Sequence, residues 1–325
     1  MTIQEIIEFI TKNIFEQLIA KFIGAFNLFL GKKDRFVTFL VVCCIVVIIV
    51  LVLLQLNKHS LEEKYTNTQT EKIQQITHTN KNFTETTLGI NMKMIWVDGG
   101  SFLMGCTSEQ GNDCNDDEKN IRCVMLDGFY IGMLEVTQLQ WKKVMGTSIY
   151  QQKNKRDESL FVYGVGGDYP MYYVNWNEAM EFCRLLSNKT GRTYTLPTEA
   201  QWEYAARGGN KSDGTKYAGS NVLDEVAWYE DNSGNTTHLC GTKRANALGI
   251  YDMSGNVCEW CHDWYSSSYA NYDTNNPTGP SSGSGRVYRG GSWAGDGCRV
   301  ALRARYSPWS RGNYLGFRVV CIPEQ

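Results

Sequence analysis

Cys258 and Cys261 stand in a C-x-x-C spacing within VCEWCHDW. Two thiols at that spacing can bind a soft metal ion or form a redox pair. No second such pair accompanies them, so the motif by itself is weak. The histidines add nothing to it: His59, His78, His238 and His262 form neither H-E-x-x-H nor a paired-ligand spacing. His262 and Asp263 are adjacent, and neighbours on a strand point to opposite faces rather than form a dyad. The glycines at 166–167 read as a turn. An acidic loop, SEQGNDCNDDEKN at 108–120, carries enough carboxylates to gather a cation, but a solvated loop is the simpler reading.

The chain around these residues has 32 Lys+Arg against 34 Asp+Glu, a formal charge of −2. That balance excludes a nucleic-acid binder held by a basic surface. Phe36 to Leu56 reads FVTFLVVCCIVVIIVLVLLQL, without one charge. About 20 apolar residues cross a hydrocarbon core, so 36–56 is predicted as a transmembrane helix. Lys21, Lys32, Lys33 and Arg35 precede it. Lys58 and Lys64 follow, beside Glu62 and Glu63. The basic excess places the N-terminus in the cytoplasm and the C-terminal domain outside it, a single-pass topology. Residues 1–35 form an amphipathic cytoplasmic segment, either lying on the membrane surface or meeting a partner helix. The threonine-rich stretch 57–91 reads as a polar stalk, and the composition changes at Met92 to a folded domain over 92–325.

The 11 cysteines fit this topology: Cys43 and Cys44 lie in the apolar run and the rest beyond it. Such density suits an oxidising compartment, although reduced core cysteines would look the same. Two of Cys106, Cys114 and Cys123, around the acidic loop, are candidates to pair. In MKMIWVDGGSFLMG (92–105), two alternating runs flank Gly99-Gly100, a hairpin pattern. Thr137 with Gln140, Asn175 with Glu178, and Thr198 with Gln201 each fit a capping box at a helix start. The remainder is rich in Gly, Asn, Ser and Trp. The prediction is an α+β domain with two or three helices, short strands and much irregular loop.

Seven ordered blocks carry a resemblance: MIWVDGGSFLMG, FYIGMLEVTQLQW, YPMYYVNWNEAMEFCRLLS, RTYTLPTEAQWEYAARGG, LGIYDMSGNVCEWCHDWY, RVYRGGSW and LGFRVV. Their order and spacing resemble the formylglycine-generating enzyme, or sulfatase-modifying factor, family. The resemblance implies a variant of the C-type lectin fold over 92–325. It also implies a chemistry: oxidation of a substrate cysteine to formylglycine by a pair of copper-binding cysteines after the GGS turn. Soft thiolates suit Cu(I). Here that segment, 290–318, holds only Cys298, and Cys258 stands where the family has a pocket tryptophan. Ser292 matches an active-site serine. The resemblance therefore argues against copper and against formylglycine-generating activity, and no catalytic residue is assigned.

The resemblance further implies calcium at DMSGNVCE. Asp252 and Glu259 would supply carboxylates, and Met253, Gly255 and Val257 backbone carbonyls; an Asx-turn without an ion is the alternative. It implies a disulfide from Cys183 to the chain after LGFR, where Cys321 falls, and Cys261 with Cys298 is a second candidate. In the C-terminal segment, Asp296, Leu302, Tyr306, Trp309 and Tyr314 interleave with a frame of Arg299, Arg303, Arg305, Pro308 and Arg311. The pattern resembles the variable proteins of diversity-generating retroelements, which use the same fold to display changeable residues. With Trp293 beneath them, these side chains make a candidate surface for a protein or glycan ligand. The expected protein is thus a membrane-anchored, extracytoplasmic binding module. An active oxidase and a structural subunit of an envelope or secretion assembly are the alternatives.

Overall fold

The computed structural model describes residues 81–269 and 273–323, together with Lys21 and Lys64. The expectations for 1–35, for the span 36–56 and for most of the stalk lie outside the described residues. The chain divides into two units, Met1–Ile76 and Thr77–Gln325, and everything below concerns the second.

The folded domain starts before the change of composition at Met92. Strand β1 (Phe83–Glu85) pairs antiparallel with β2 (Met92–Val97), bringing Phe83 opposite Met94. Residues 83–91 therefore belong to the domain rather than to a stalk. Their polar composition hid this, because an edge strand needs few buried side chains. Strands β3 (Gly100–Met104) and β4 (Arg122–Leu126) pair with each other, while β2 pairs with β5 (Phe129–Gly132). The hairpin expected across Gly99-Gly100 is not made. Both strands exist, but the turn feeds an inserted β3–β4 ribbon and β5 returns to β2. Gly99 is needed there, since a Cβ would lie 2.7 Å from the Leu126 carbonyl oxygen.

Strands β6 (Thr193–Thr195) and β11 (Val320–Ile322) complete an antiparallel five-stranded sheet ordered β1-β2-β5-β11-β6. A second sheet is ordered β10-β7-β8-β9, from β7 (Cys258–Trp264), β8 (Arg286–Arg289), β9 (Arg303–Tyr306) and β10 (Leu315–Gly316). Strand alternation divides the interior into two cores. Met92 and Met94 enter one core and Ile95 and Val97 the other; Cys321 and Val320 divide likewise.

The helices follow their caps. Helices α1 (Gln138–Met145), α3 (Trp176–Thr190) and α4 (Glu199–Ala206) start at Thr137, Asn175 and Thr198, each with the expected capping box complete. A fourth box, Ser148 with Gln151, starts the short α2 (Ile149–Asn154), and α5 (Leu223–Val226) is shorter still. Trp141 of α1 stacks on Phe182 of α3 at 5.9 Å. Helix α4 is buried on nearly every side, including Glu199 and Glu203. Such carboxylates must be paired. Arg303 binds Glu199 through two bonds of 2.8 and 2.6 Å, and Arg289 and Arg207 bind Glu203.

Candidate functional site

The candidate site forms where β8 runs into the turn Gly290-Gly291-Ser292. Gly290 and Gly291 have φ of +98° and +72°, and a Cβ on Gly291 would lie 2.6 Å from the Cys298 sulfur. The turn thus lets the 297–298 backbone press against it. A cleft of about 240 Å³ opens beside it, lined by Cys258, Tyr288, Ser292, Leu302, Ala304 and Tyr314 among others. Cys258 reaches the cleft from β7, and its sulfur accepts from the Ser292 hydroxyl and the Gly291 N–H. The Cys298 sulfur accepts from the Ser292 N–H. The two sulfurs are electrostatic neighbours.

Burial pushes the Cys258 thiol up, and the nearby Cys298 adds to this. Burial, with Asp296 close by, pushes Cys298 up to about 12. Both are protonated near neutral pH unless a metal ion displaces the proton. The implied copper pair is not reproduced: one thiol comes from β7, and neither is activated by a neighbouring cation or base.

The cysteine expectations need correction. Cys258, not Cys261, approaches Cys298. Cys258 and Cys261 are an odd number of residues apart on one strand and face opposite ways: Cys258 enters one core and Cys261 the other. Cys261 lies instead near Glu199, Asp263 and Arg289. Among the described residues the disulfide is Cys106–Cys114, while Cys183, Cys261 and Cys298 carry free thiols. The Cys183–Cys321 bridge is therefore not formed either. Cys321 sits opposite Tyr194 in the β11–β6 register, and its sulfur faces the Ile322 carbonyl at 3.8 Å.

The residues proposed for ligand contact separate into three places. Leu302 and Tyr314 line the cleft. Tyr306 stands at its rim, 39% exposed and electrostatically close to Tyr288 and Tyr314. Trp309 is 71% exposed and projects from the loop that packs on the start of α3, where the Pro308 carbonyl accepts from the Trp176 N–H. Asp296 is exposed. Trp293 is buried, stacked on Tyr163 at 4.8 Å, with its ring N–H on the Asn313 carbonyl. It supports the 292–298 turn from below. Tyr288 was not among the expected residues, although its place before the RGGS turn on an alternating strand is visible in the sequence.

Of the frame arginines, Arg299 and Arg303 are buried in ion pairs, whereas Arg305 is exposed. Arg299 binds Glu118 at 2.7 and 3.0 Å, tying the C-terminal segment to the acidic loop, and Arg303 holds Glu199. Arg318 is fully buried and bidentate on Glu259, with both bonds 2.6 Å; the Trp202 ring N–H gives Glu259 a third at 2.7 Å. These three donors take three of the roughly four lone-pair sites of the carboxylate. Asp252, the other expected carboxylate, accepts from the Gly241 N–H at 2.6 Å. The two carboxylates expected to hold calcium thus lie in one buried neighbourhood, each already held by protein donors.

A mixed α+β fold with two curled sheets, few helices and a cleft at the GGS turn defines the class. The chain belongs to the sulfatase-modifying factor enzyme 1-like domain family, which matches residues 79–322. It is 32% identical to the chaperone protein LppX of Paenibacillus barcinonensis, over 70% of this chain and 88% of that one. It is 37% identical to the formylglycine-generating enzyme of Streptomyces coelicolor, over 46% of this chain and about half (52%) of the enzyme. Among solved structures it is similar to Treponema denticola variable protein 1, at 32% identity and a TM-score of 0.65, over 74% of this chain and 99% of that one.

Proposed function

We infer that the protein is a membrane-anchored binding module, with its domain outside the cytoplasm and without formylglycine-generating activity. The observation that carries this reading is the cleft. It has an aromatic rim of Tyr288, Tyr306 and Tyr314, with Trp309 exposed nearby, and its two thiols are protonated by burial. Rigid aromatic side chains give large contact area for little lost entropy, which favours recognition. The uncharged run at 36–56 supports the anchor, and the Cys106–Cys114 disulfide supports an oxidising compartment. Similarity to a Treponema variable protein supports the C-terminal segment as the contact surface, with a protein or glycan as its ligand.

A second reading, an active oxidase, is favoured by one observation: Cys258 brings a second thiol beside Cys298. Two assays separate the readings. The full chain in detergent, loaded with copper under oxygen, is incubated with a cysteine-containing peptide and the product weighed by mass spectrometry. In parallel, binding to arrayed glycans and purified surface proteins is measured for wild type, Trp309→Ala, Tyr306→Ala and Cys298→Ser. The binding module predicts an unchanged peptide, and capture that falls in the aromatic variants but not in Cys298→Ser. Formylglycine formed by wild type and lost in Cys298→Ser would establish the oxidase instead.

A further inference from the structure

Three buried segments meet behind β7, away from the thiol cleft. Glu135 lies between β5 and α1, Cys240 in the loop 237–242, and Asp252 at the turn that leads into β7. Donor atoms of these three side chains all lie within 4.8 Å of one another. Glu135 and Asp252 are 1% and 2% exposed, and Cys240 is half-buried. The Cys240 thiol is hydrogen-bonded to Glu135. The Glu135 oxygens also accept from the Asn256 side chain at 2.8 Å and the Val257 N–H at 3.1 Å.

Asp252 shows what is missing. Its Oδ2 accepts from the Gly241 N–H, but its Oδ1 is buried without a hydrogen-bond partner among the described residues. An unsatisfied buried acceptor costs about 1–3 kcal/mol, and more if charged. Charge points the same way. Glu135, Asp252 and Glu259 lie close together around one guanidinium, Arg318, whose bidentate bonds go to Glu259. Among the described residues, Arg318 is thus shared by three carboxylates, and Glu135 and Asp252 feel its charge without a direct bond to it. A positive ion held by the three side chains would bring a cation to this group of buried carboxylates, one of which has an acceptor to spare.

The donor chemistry selects the ion. One sulfur and two carboxylates do not suit calcium or magnesium, which take six or more oxygens. They suit a borderline ion such as zinc, which accepts sulfur and carboxylate together in a tetrahedral shell. Zinc–sulfur bonds of about 2.3 Å and zinc–oxygen bonds of about 2.0–2.2 Å put tetrahedral ligand atoms about 3.5 Å apart. Closing from 4.8 Å therefore asks any two donor atoms to approach by about 1.3 Å at most. The backbone is already held: Cys240 N–H donates to the Asp168 carbonyl, and Gly241 N–H fixes the Asp252 carboxylate. Asn256 and the Val257 N–H orient Glu135, as outer partners orient metal ligands.

We propose that Glu135, Cys240 and Asp252 bind one divalent transition-metal ion of the zinc class, with a fourth position left to water. The ion staples the segment after β5, the 237–242 loop and the turn before β7. The full chain, purified in detergent and stripped of metal, is titrated with cobalt(II) and then with zinc as competitor. The expected result is one equivalent of cobalt bound, with a thiolate-to-cobalt charge-transfer absorption. Cys240→Ser removes that absorption, whereas Cys123→Ser, at an exposed thiol, keeps it. Asp252→Asn weakens affinity by at least the roughly tenfold to hundredfold that loss of even an outer-shell partner costs. X-ray absorption at the zinc edge of wild type reads the same site without any variant, and one sulfur at about 2.3 Å is expected. An all-oxygen shell, a charge-transfer band that survives in Cys240→Ser, or saturation by calcium but not cobalt would each overturn the proposal.

Discussion

Glu259→Gln tests whether the carboxylate beside the cleft belongs to Arg318 or to an ion. In the structure its two oxygens take three hydrogen bonds, two from Arg318 and one from Trp202, and both charged side chains are fully buried. Arg318 also donates to the carbonyls of Gly132 and Tyr251, at 2.9 Å each. It therefore links β5, the 249–252 turn and β7. Glutamine keeps one acceptor oxygen but sets an amide N–H₂ against a guanidinium that cannot lose its charge. Removing one partner of a buried pair costs about 3–5 kcal/mol. For a domain of about 150–250 residues each kcal/mol moves Tm by roughly 2–4 °C, so a fall of about 6–20 °C is expected. Thermal unfolding followed by tryptophan fluorescence, with and without added calcium, reads this directly. The reasoning fails if calcium raises the Tm of wild type and that increment vanishes in Glu259→Gln. In that case the carboxylate serves the ion, and Arg318 is not its principal partner.

Other expectations follow from single observations. Asp263 is buried next to Glu199, and burial followed by the Glu199 charge raises its carboxyl to about 8. With a folded value above the usual carboxylate range of about 3.9, its contribution is fully present below pH 4 and is lost as pH rises towards 8. Asp263→Asn should flatten the fall in stability across that window in urea titrations. Trp309→Ala should leave Tm within about 0.5 kcal/mol equivalent, because the side chain is 71% exposed, while lowering ligand capture roughly thirtyfold. Cys106 and Cys114 close a short loop, and opening it with reductant should cost about 2–3 kcal/mol, seen as a lower urea midpoint. Asn175→Ala removes the acceptor for the Glu178 N–H and should cost about 1 kcal/mol through fraying of α3.

Local physics written in a few neighbouring residues was legible without coordinates. The capping boxes at Thr137, Asn175 and Thr198 are reciprocal bonds over three residues, so their sequence signature is complete in itself. The pairing within the acidic loop was also within reach, since Cys106 and Cys114 are close along the chain. The blocks that carry the resemblance led to the family for the same reason: order and spacing are properties of the sequence.

Tertiary structure alone decided what depends on distant segments meeting. Alternation along β2 marked two strands around Gly99-Gly100, but their partners, β1, β5 and β4, were set by which faces the two cores could bury. Strand parity already separated Cys258 from Cys261; only the fold shows which of them Cys298 meets. The arginine frame at 299–318 looked like one regular pattern. Arg299 and Arg303 of that frame, with Arg318 beyond it, satisfy buried carboxylates contributed by the acidic loop, α4 and β7, because a charge removed from water must find its partner wherever the chain places one. Glu135, Cys240 and Asp252 carry no shared motif, and Glu135 stands far along the chain from the other two. Their meeting is a consequence of burial, which spacing along one chain does not encode.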